Sequence, residues 1–179
     1  MIKKLEILFF RLVVLILILS NSSCSDTNFD VVVVGGGTSG VASAIQSSRL
    51  GSKTLLIEES NWLGGMLTSA GVSAMDGNYK MPSGFLKEFR DSLVSYYGHL
   101  DSLKTGWVSN FMFEPSVGNR ILKDIANQEK NLTILFGTTV SEVVKNENFS
   151  IKINERPSIY KSKILIDATE LGDLIPLLN

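Results

Sequence analysis

Three glycines and one carboxylate are the residues best placed to do chemistry. Gly35, Gly37 and Gly40 follow four consecutive valines, Val31, Val32, Val33 and Val34. They spell G-x-G-x-x-G between an apolar strand-like run and a helix-like segment, the context in which the pattern binds a dinucleotide pyrophosphate. Gly35 permits the tight turn, Gly37 lets the pyrophosphate approach the backbone, and Gly40 lets helix and strand pack closely. Thr38 and Ser39 open the helix, whose N-terminal N–H groups and positive dipole end favour phosphate. Glu58 ends a second apolar run about 20 residues on, where such folds hydrogen-bond a ribose 2′-hydroxyl. A 2′-phosphate would meet a negative charge there, so the pair reads against NADP.

Composition narrows the other possibilities. A single cysteine, Cys24, excludes an internal disulfide framework and any all-cysteine metal or iron–sulfur site built from this chain. A single histidine, His99, leaves no catalytic dyad or metal cluster and reads as a helix-end residue. The net charge of −1 gives no electrostatic reason for a nucleic-acid partner. At 179 residues the chain is long enough for one sizeable core.

The elements that must position these residues follow from the apolar pattern. The valines read as a strand buried on both faces of a parallel sheet. Residues 38–50 read as a helix ended by Gly51, and 53–58 as a second strand. A glycine-rich loop spans 61–77. A helix over 84–97 follows Pro82 and Ser83, with Phe85, Phe89, Leu93 and Tyr96 or Tyr97 as its apolar stripe. Residues 107–113 fit either a strand or a hydrophobic loop. Pro115 and Ser116 begin a helix whose Val117, Ile121, Leu122 and Ile125 face a core, with Glu114 holding its entry. Strands are expected over 132–136, 140–145, 149–154 and 162–168, the middle two as a hairpin. The fold class is α/β: a Rossmann-like parallel sheet plus a small β-meander.

The first residues follow a different grammar. Lys3, Lys4 and Arg11 precede a continuous apolar run at 12–19, which is too short to span a bilayer. Small polar residues at 20–23 then lead to Cys24, as in bacterial lipoprotein signals. The expected organisation is a signal peptide over 1–23, a linker over 24–29 and a nucleotide-binding domain over 30–179. Cys24 would be the lipidated first residue; ordinary cleavage near Ser23 or Ser25, or a retained anchor, are the alternatives. The protein is then expected in the bacterial envelope or periplasm, held to the membrane by lipid, or else secreted. Asn-x-Ser/Thr triplets at Asn21, Asn131 and Asn148 read as chance.

Three further motifs stand in order beside the glycine pattern. They are Trp62-Leu63-Gly64-Gly65-Met66 and the residues to Val72, then Phe113-Glu114-Pro115-Ser116-Val117, then Asp167-Ala168-Thr169-Glu170-Leu171-Gly172-Asp173. Together they resemble the FAD-dependent oxidoreductase family of glutathione-reductase-type flavoproteins, which includes homologues of a heterodisulfide reductase component. The resemblance runs from Asp30 to about Leu178. It implies FAD as cofactor, with Glu58 on the adenosine ribose and Gly64 and Gly65 along the pyrophosphate and ribityl chain. It further implies that Val140 passes backbone groups to the adenine, and that Ala168, Thr169 and Gly172 shape a second turn. Asp173 would accept a bond from a ribityl or ribose hydroxyl. Glu170 departs from the glycine of many relatives. Heterodisulfide-reductase-type relatives carry [4Fe–4S] clusters, for which this chain has no ligands.

The reading is thus an FAD-binding domain of an exported oxidoreductase, working by hydride or electron transfer through the flavin. The sequence reads as ending at Asn179 before the substrate-facing region of such proteins. The alternatives are a truncated, catalytically silent, membrane-tethered remnant and an NAD-binding domain. No catalytic acid or base is assigned; Thr68 and Ser69 are candidates by loop position. The small-molecule substrate or redox partner is unassigned.

Overall fold

A computed structural model of the chain describes residues 27–77, 79–107, 109–155 and 158–178. The signal peptide, the lipidation site at Cys24 and the start of the expected linker lie outside the described residues. Six strands form one sheet: β1 (Asn28–Val34), β2 (Thr54–Ile57), β3 (Leu132–Leu135), β4 (Val140–Lys145), β5 (Phe149–Ile153) and β6 (Ile159–Asp167). Their spatial order is β3-β2-β1-β6-β5-β4. β1 pairs in parallel with β2 and β6, and β2 with β3. β4, β5 and β6 form an antiparallel meander.

The valine run explains how the layers assemble. Side chains alternate across a strand, and here each face meets its own core. Val31 and Val33 join Leu56 against helix α1 (Thr38–Arg49) and the helices α2 (Gly84–Tyr97) and α3 (Pro115–Asn127). Val32 and Val34 join Leu55 and Ile57 against Val143, Ile151 and Tyr160 of the meander. Burying each valine contributes about 1.5–3 kcal/mol, so a polar residue anywhere in the run would cost one core or the other. The meander is continuous with the parallel sheet, because β6 belongs to both.

β6 is accordingly longer than its apolar end suggests. It begins at Ile159 rather than 162, since its first half pairs with β5 from Lys152↔Ile159 to Phe149↔Ser162. β1 likewise begins at Asn28, with Phe29 only 7% exposed, so the last two residues of the expected linker are strand. Parallel pairing with Lys161 and Ser162 recruits them. On α2 it is Tyr97 that packs against the core, while Tyr96 is exposed and stacks with Arg120. Residues 109–113 are a loop, joined to the chain near Ala74 by one bridge to Met112. Pro115 starts α3 as expected, and Val117, Ile121, Leu122 and Ile125 are all buried. Arg49 at the end of α1 bonds Glu88 of α2 and Glu129 ahead of β3, each at 2.7 Å.

Candidate cofactor site

The site forms at the C-terminal ends of β1, β2 and β6, where open α/β sheets place their ligand crevices. A cleft of about 440 Å³ opens there. Gly35 leaves β1 with φ +99°, a conformation that glycine adopts freely. A Cβ at Gly35 would lie 2.5 Å from the Ala168 carbonyl oxygen, so the turn after β6 is packed onto the turn after β1. A Cβ at Gly40 would lie 1.8 Å from the Gly35 carbonyl oxygen. Gly40 thus lets α1 sit directly against the end of β1.

Gly37 differs from both. Its φ is −61° and ψ 177°, and a Cβ there would meet nothing within 4 Å. It lines the cleft at the start of α1, and that start has no side-chain cap. The first N–H groups of an α-helix lack intrahelical partners, so those at the start of α1 are placed to donate to an anion. Ser39 is exposed in the first turn, while the Thr38 hydroxyl donates to the Gly64 carbonyl at 3.0 Å.

Glu58 follows β2 and is 9% exposed. Its Oε2 accepts from the Gly36 N–H at 2.5 Å and its Oε1 from the Ser60 N–H at 2.9 Å. These bonds fix the carboxylate at the rim of the cleft with acceptor capacity remaining for a ligand hydroxyl. A Cβ at Gly36 would lie 2.7 Å from Glu58 Oε2. Sequence reasoning passes over Gly36; the signal for it is a third adjacent glycine outside the G-x-G-x-x-G pattern.

The glycine pair after β2 divides its labour. Gly65 lines the cleft, and its Cβ would press to 3.0 Å from Gly37 Cα. Gly64 does not line the cleft. It adopts φ +109°, donates to the Gly36 carbonyl at 2.8 Å and leaves no room for a Cβ, which would lie 2.7 Å from Leu122 of α3. Of the two glycines expected along the ligand, only Gly65 lines the cleft, and Gly64 clamps the loop from behind. Thr68 is 1% exposed, and its hydroxyl donates to the Leu63 carbonyl at 2.5 Å. Ser69 does line the cleft, its hydroxyl donating to the Gly65 carbonyl at 3.1 Å.

The second turn, after β6, is organised by Asp167. Its Oδ1 accepts from the Thr169 N–H at 3.1 Å and the Thr169 hydroxyl at 2.7 Å, and its Oδ2 from the Leu174 N–H at 3.2 Å. The Thr169 oxygen in turn accepts from the Asp173 N–H at 2.8 Å. This ring of bonds places Ala168, Thr169 and Asp173 on the cleft wall, with Gly172 behind them packed on Ile175. Asp167 escapes sequence reasoning as a site residue; an acid at the end of an apolar strand, two residues before a threonine, is the signal. Val140, the first residue of β4, lines the far end of the cleft beside Thr138 and Thr139.

Two residues away from the cleft take the structural roles expected of them. Glu114 accepts from the Tyr97 hydroxyl at 3.0 Å, and its N–H donates back to the same oxygen. Burial pushes the Tyr97 phenol above its ordinary range. His99 accepts from the Asp101 N–H at 3.1 Å at the start of a short turn (Leu100–Leu103). Among the described residues no group of three or more His, Cys, Asp or Glu is arranged to hold a metal ion.

Comparisons with known proteins bear on the family and the fold. A digeranylgeranylglycerophospholipid reductase from Sulfolobus acidocaldarius is 27% identical over an alignment of 158 positions that covers 80% of this chain and 34% of the reductase. A mitochondrial dihydrolipoyl dehydrogenase from Arabidopsis thaliana is 50% identical over 50 residues, 28% of this chain and 10% of that one. The chain thus spans about a third or less of the length of these curated relatives. Among solved structures, a closed form of cyclohexanone monooxygenase superposes with a TM-score of 0.55 at 18% identity, over 82% of this chain and 27% of the enzyme. A bacillithiol disulfide reductase from Staphylococcus aureus gives 0.51 at 20% identity, over 83% and 40%. Both likenesses speak to the fold. The model of the family described as FAD dependent oxidoreductase matches residues 30–178, and the chain belongs to that family.

Proposed function

We propose that this chain is the FAD-holding part of an exported flavin-dependent oxidoreductase, tethered to the envelope by lipid at Cys24. The observation that carries the reading is Gly37: an open backbone position at an uncapped helix start, inside a cleft walled by both glycine turns. Bound FAD supplies hydride and single-electron chemistry through its flavin ring. The chain's own residues hold and orient it. The α1 N-terminus and Gly37 receive the pyrophosphate, and Glu58 accepts a hydrogen bond from the adenosine ribose. The backbone around Val140 faces the adenine, and Asp173 accepts from a second hydroxyl. Gly65 and Ser69 lie along the ribityl side. The basic start, the apolar run and Cys24 support export and lipidation.

Titration with FAD and separately with NAD tests the cofactor. FAD should quench its own fluorescence on binding and co-purify as a yellow complex, with NAD failing to displace it. A protein that binds NAD in preference, or neither, refutes the reading. Cys24→Ala should release the protein from the membrane fraction; unchanged partitioning overturns the lipid tether.

A further inference from the structure

The ionisable side chains that line the cleft are Glu58, Glu59, Glu170 and Asp173; among the described residues no lysine, arginine or histidine lines it. A dinucleotide pyrophosphate is itself anionic. Its charge must therefore be met by backbone amides and the α1 dipole, against a wall of like charge. Glu58 and Glu170 are the two whose carboxylates stand against the phosphate-loop glycines. Glu58 is anchored to the Gly36 and Ser60 amides on the side where a ribose belongs. Glu170 instead extends from the second turn across to the phosphate loop. Its Oε1 lies 3.6 Å from where a Cβ of Gly65 would stand, on the same side of Gly65 that packs against Gly37. It is exposed, and it lines the same cleft as Gly37.

We infer that Glu170 is an affinity-setting residue that holds FAD binding below what the glycine cradle alone would give, by placing a negative charge next to the pyrophosphate. The inference rests on the FAD reading above. It has an unusual consequence: salt strengthens binding. Ordinary phosphate sites rich in lysine and arginine lose affinity as salt screens attraction. Here salt screens repulsion, and the amide contacts at hydrogen-bond distance are little affected. The Debye length shrinks from about 30 Å at 0.01 M to about 8 Å at 0.15 M salt, so the effect develops across an accessible range.

The test is FAD titration of the full chain at low and at physiological ionic strength, for the parent, Glu170→Gln and Glu147→Gln. Glu147 is an exposed acid in the turn between β4 and β5, and its variant changes the net charge equally away from the cleft. In the parent, the dissociation constant should fall as salt rises. Glu170→Gln should bind FAD about threefold to tenfold more tightly at low salt, the size of one like charge about 4 Å away through bulk water, and its salt dependence should flatten. Glu147→Gln should behave as the parent does. Weaker binding with rising salt in the parent overturns the inference. So does a Glu170→Gln variant indistinguishable from the parent or from Glu147→Gln. Failure of all three proteins to bind FAD at any salt overturns the FAD reading and the inference with it.

Discussion

Gly37→Ala separates the ligand's need from the fold's. The Gly37 backbone, at φ −61° and ψ 177°, is one that alanine adopts without strain, and its new methyl would meet no protein atom within 4 Å. Replacing glycine by alanine at a compatible position stabilises by about 0.4–1 kcal/mol, because the unfolded chain has less freedom to lose. For a chain of this size each kcal/mol moves Tm by about 2–4 °C. Without FAD the variant should therefore melt about 1–4 °C above the parent. In the cleft, the methyl stands about 1.5 Å further out than the backbone. A phosphate oxygen held at about 2.9 Å from an amide would be displaced beyond hydrogen-bond reach. FAD at a hundredfold excess over its dissociation constant should stabilise the parent by about 2.7 kcal/mol, and the variant by almost nothing.

Differential scanning fluorimetry with and without FAD reads both effects. Gly40→Ala supplies the contrast. Its Cβ would stand 1.8 Å from the Gly35 carbonyl oxygen, so α1 must move away from β1. Overpacking of this kind costs about 1–3 kcal/mol, and the Gly40 variant should melt lower than the parent before any ligand is added. If Gly37→Ala melts below the parent, or retains the parent's shift with FAD, the assignment of Gly37 to ligand approach is wrong.

Two further perturbations address the second turn and the outer surface. Asp167→Ala removes the acceptor of three hydrogen bonds. It should cost about 1–2 kcal/mol in urea unfolding and weaken FAD about tenfold, whereas a wall that keeps its FAD affinity would show Asp167 to be dispensable. The hydrogen bonds from Arg49 hold the Glu88 carboxyl below its ordinary value of 4.5. A lowered folded pKa gives stability that is fully present above the unfolded value and lost as pH falls through the folded one. Stability of the parent should thus decline below pH 4.5 more steeply than that of Glu88→Gln, by a modest amount because the pair is partly exposed. Equal acid slopes in urea melts across the acid range would remove the pair from the stability of the fold.

What the sequence made legible was whatever depended on neighbours along the chain. The valine run sets a doubly buried strand, Pro115 fixes the start of α3, and apolar alternation bounds β4 at Val140 and Lys145. The illegible features depend on partners far away in sequence. Nothing local distinguishes Gly64 from Gly65; the arrival of Leu122 behind one and Gly37 beside the other does. Gly36 matters only because Glu58 returns to it, and Thr68 has a loop position fit for chemistry although its hydroxyl is spent on Leu63. Asn28 and Phe29 carry no strand pattern of their own and become strand through Lys161 and Ser162.

A site whose anion-binding groups are backbone amides depends on packing in a way that a lysine-based site does not. A lysine can follow its phosphate through several ångströms of flexible chain, whereas an amide points where its peptide plane is held. In this chain the phosphate loop is held from three directions: the second turn through Ala168 on Gly35, α3 through Leu122 on Gly64, and β2 through Glu58 on Gly36. Of these contacts only Glu58 is a charged group that would also meet the ligand in the proposed reading, and all three fix the aim of the amides proposed to hold it. The acidic lining sharpens the dependence, because no cation among the described lining residues can compensate for a misdirected N–H. If FAD binds as proposed, cofactor affinity and the packing of the β1–α1 junction are one property, and the glycines at 35, 36, 40 and 64 would serve the ligand by letting other parts of the chain come close enough to hold Gly37 still.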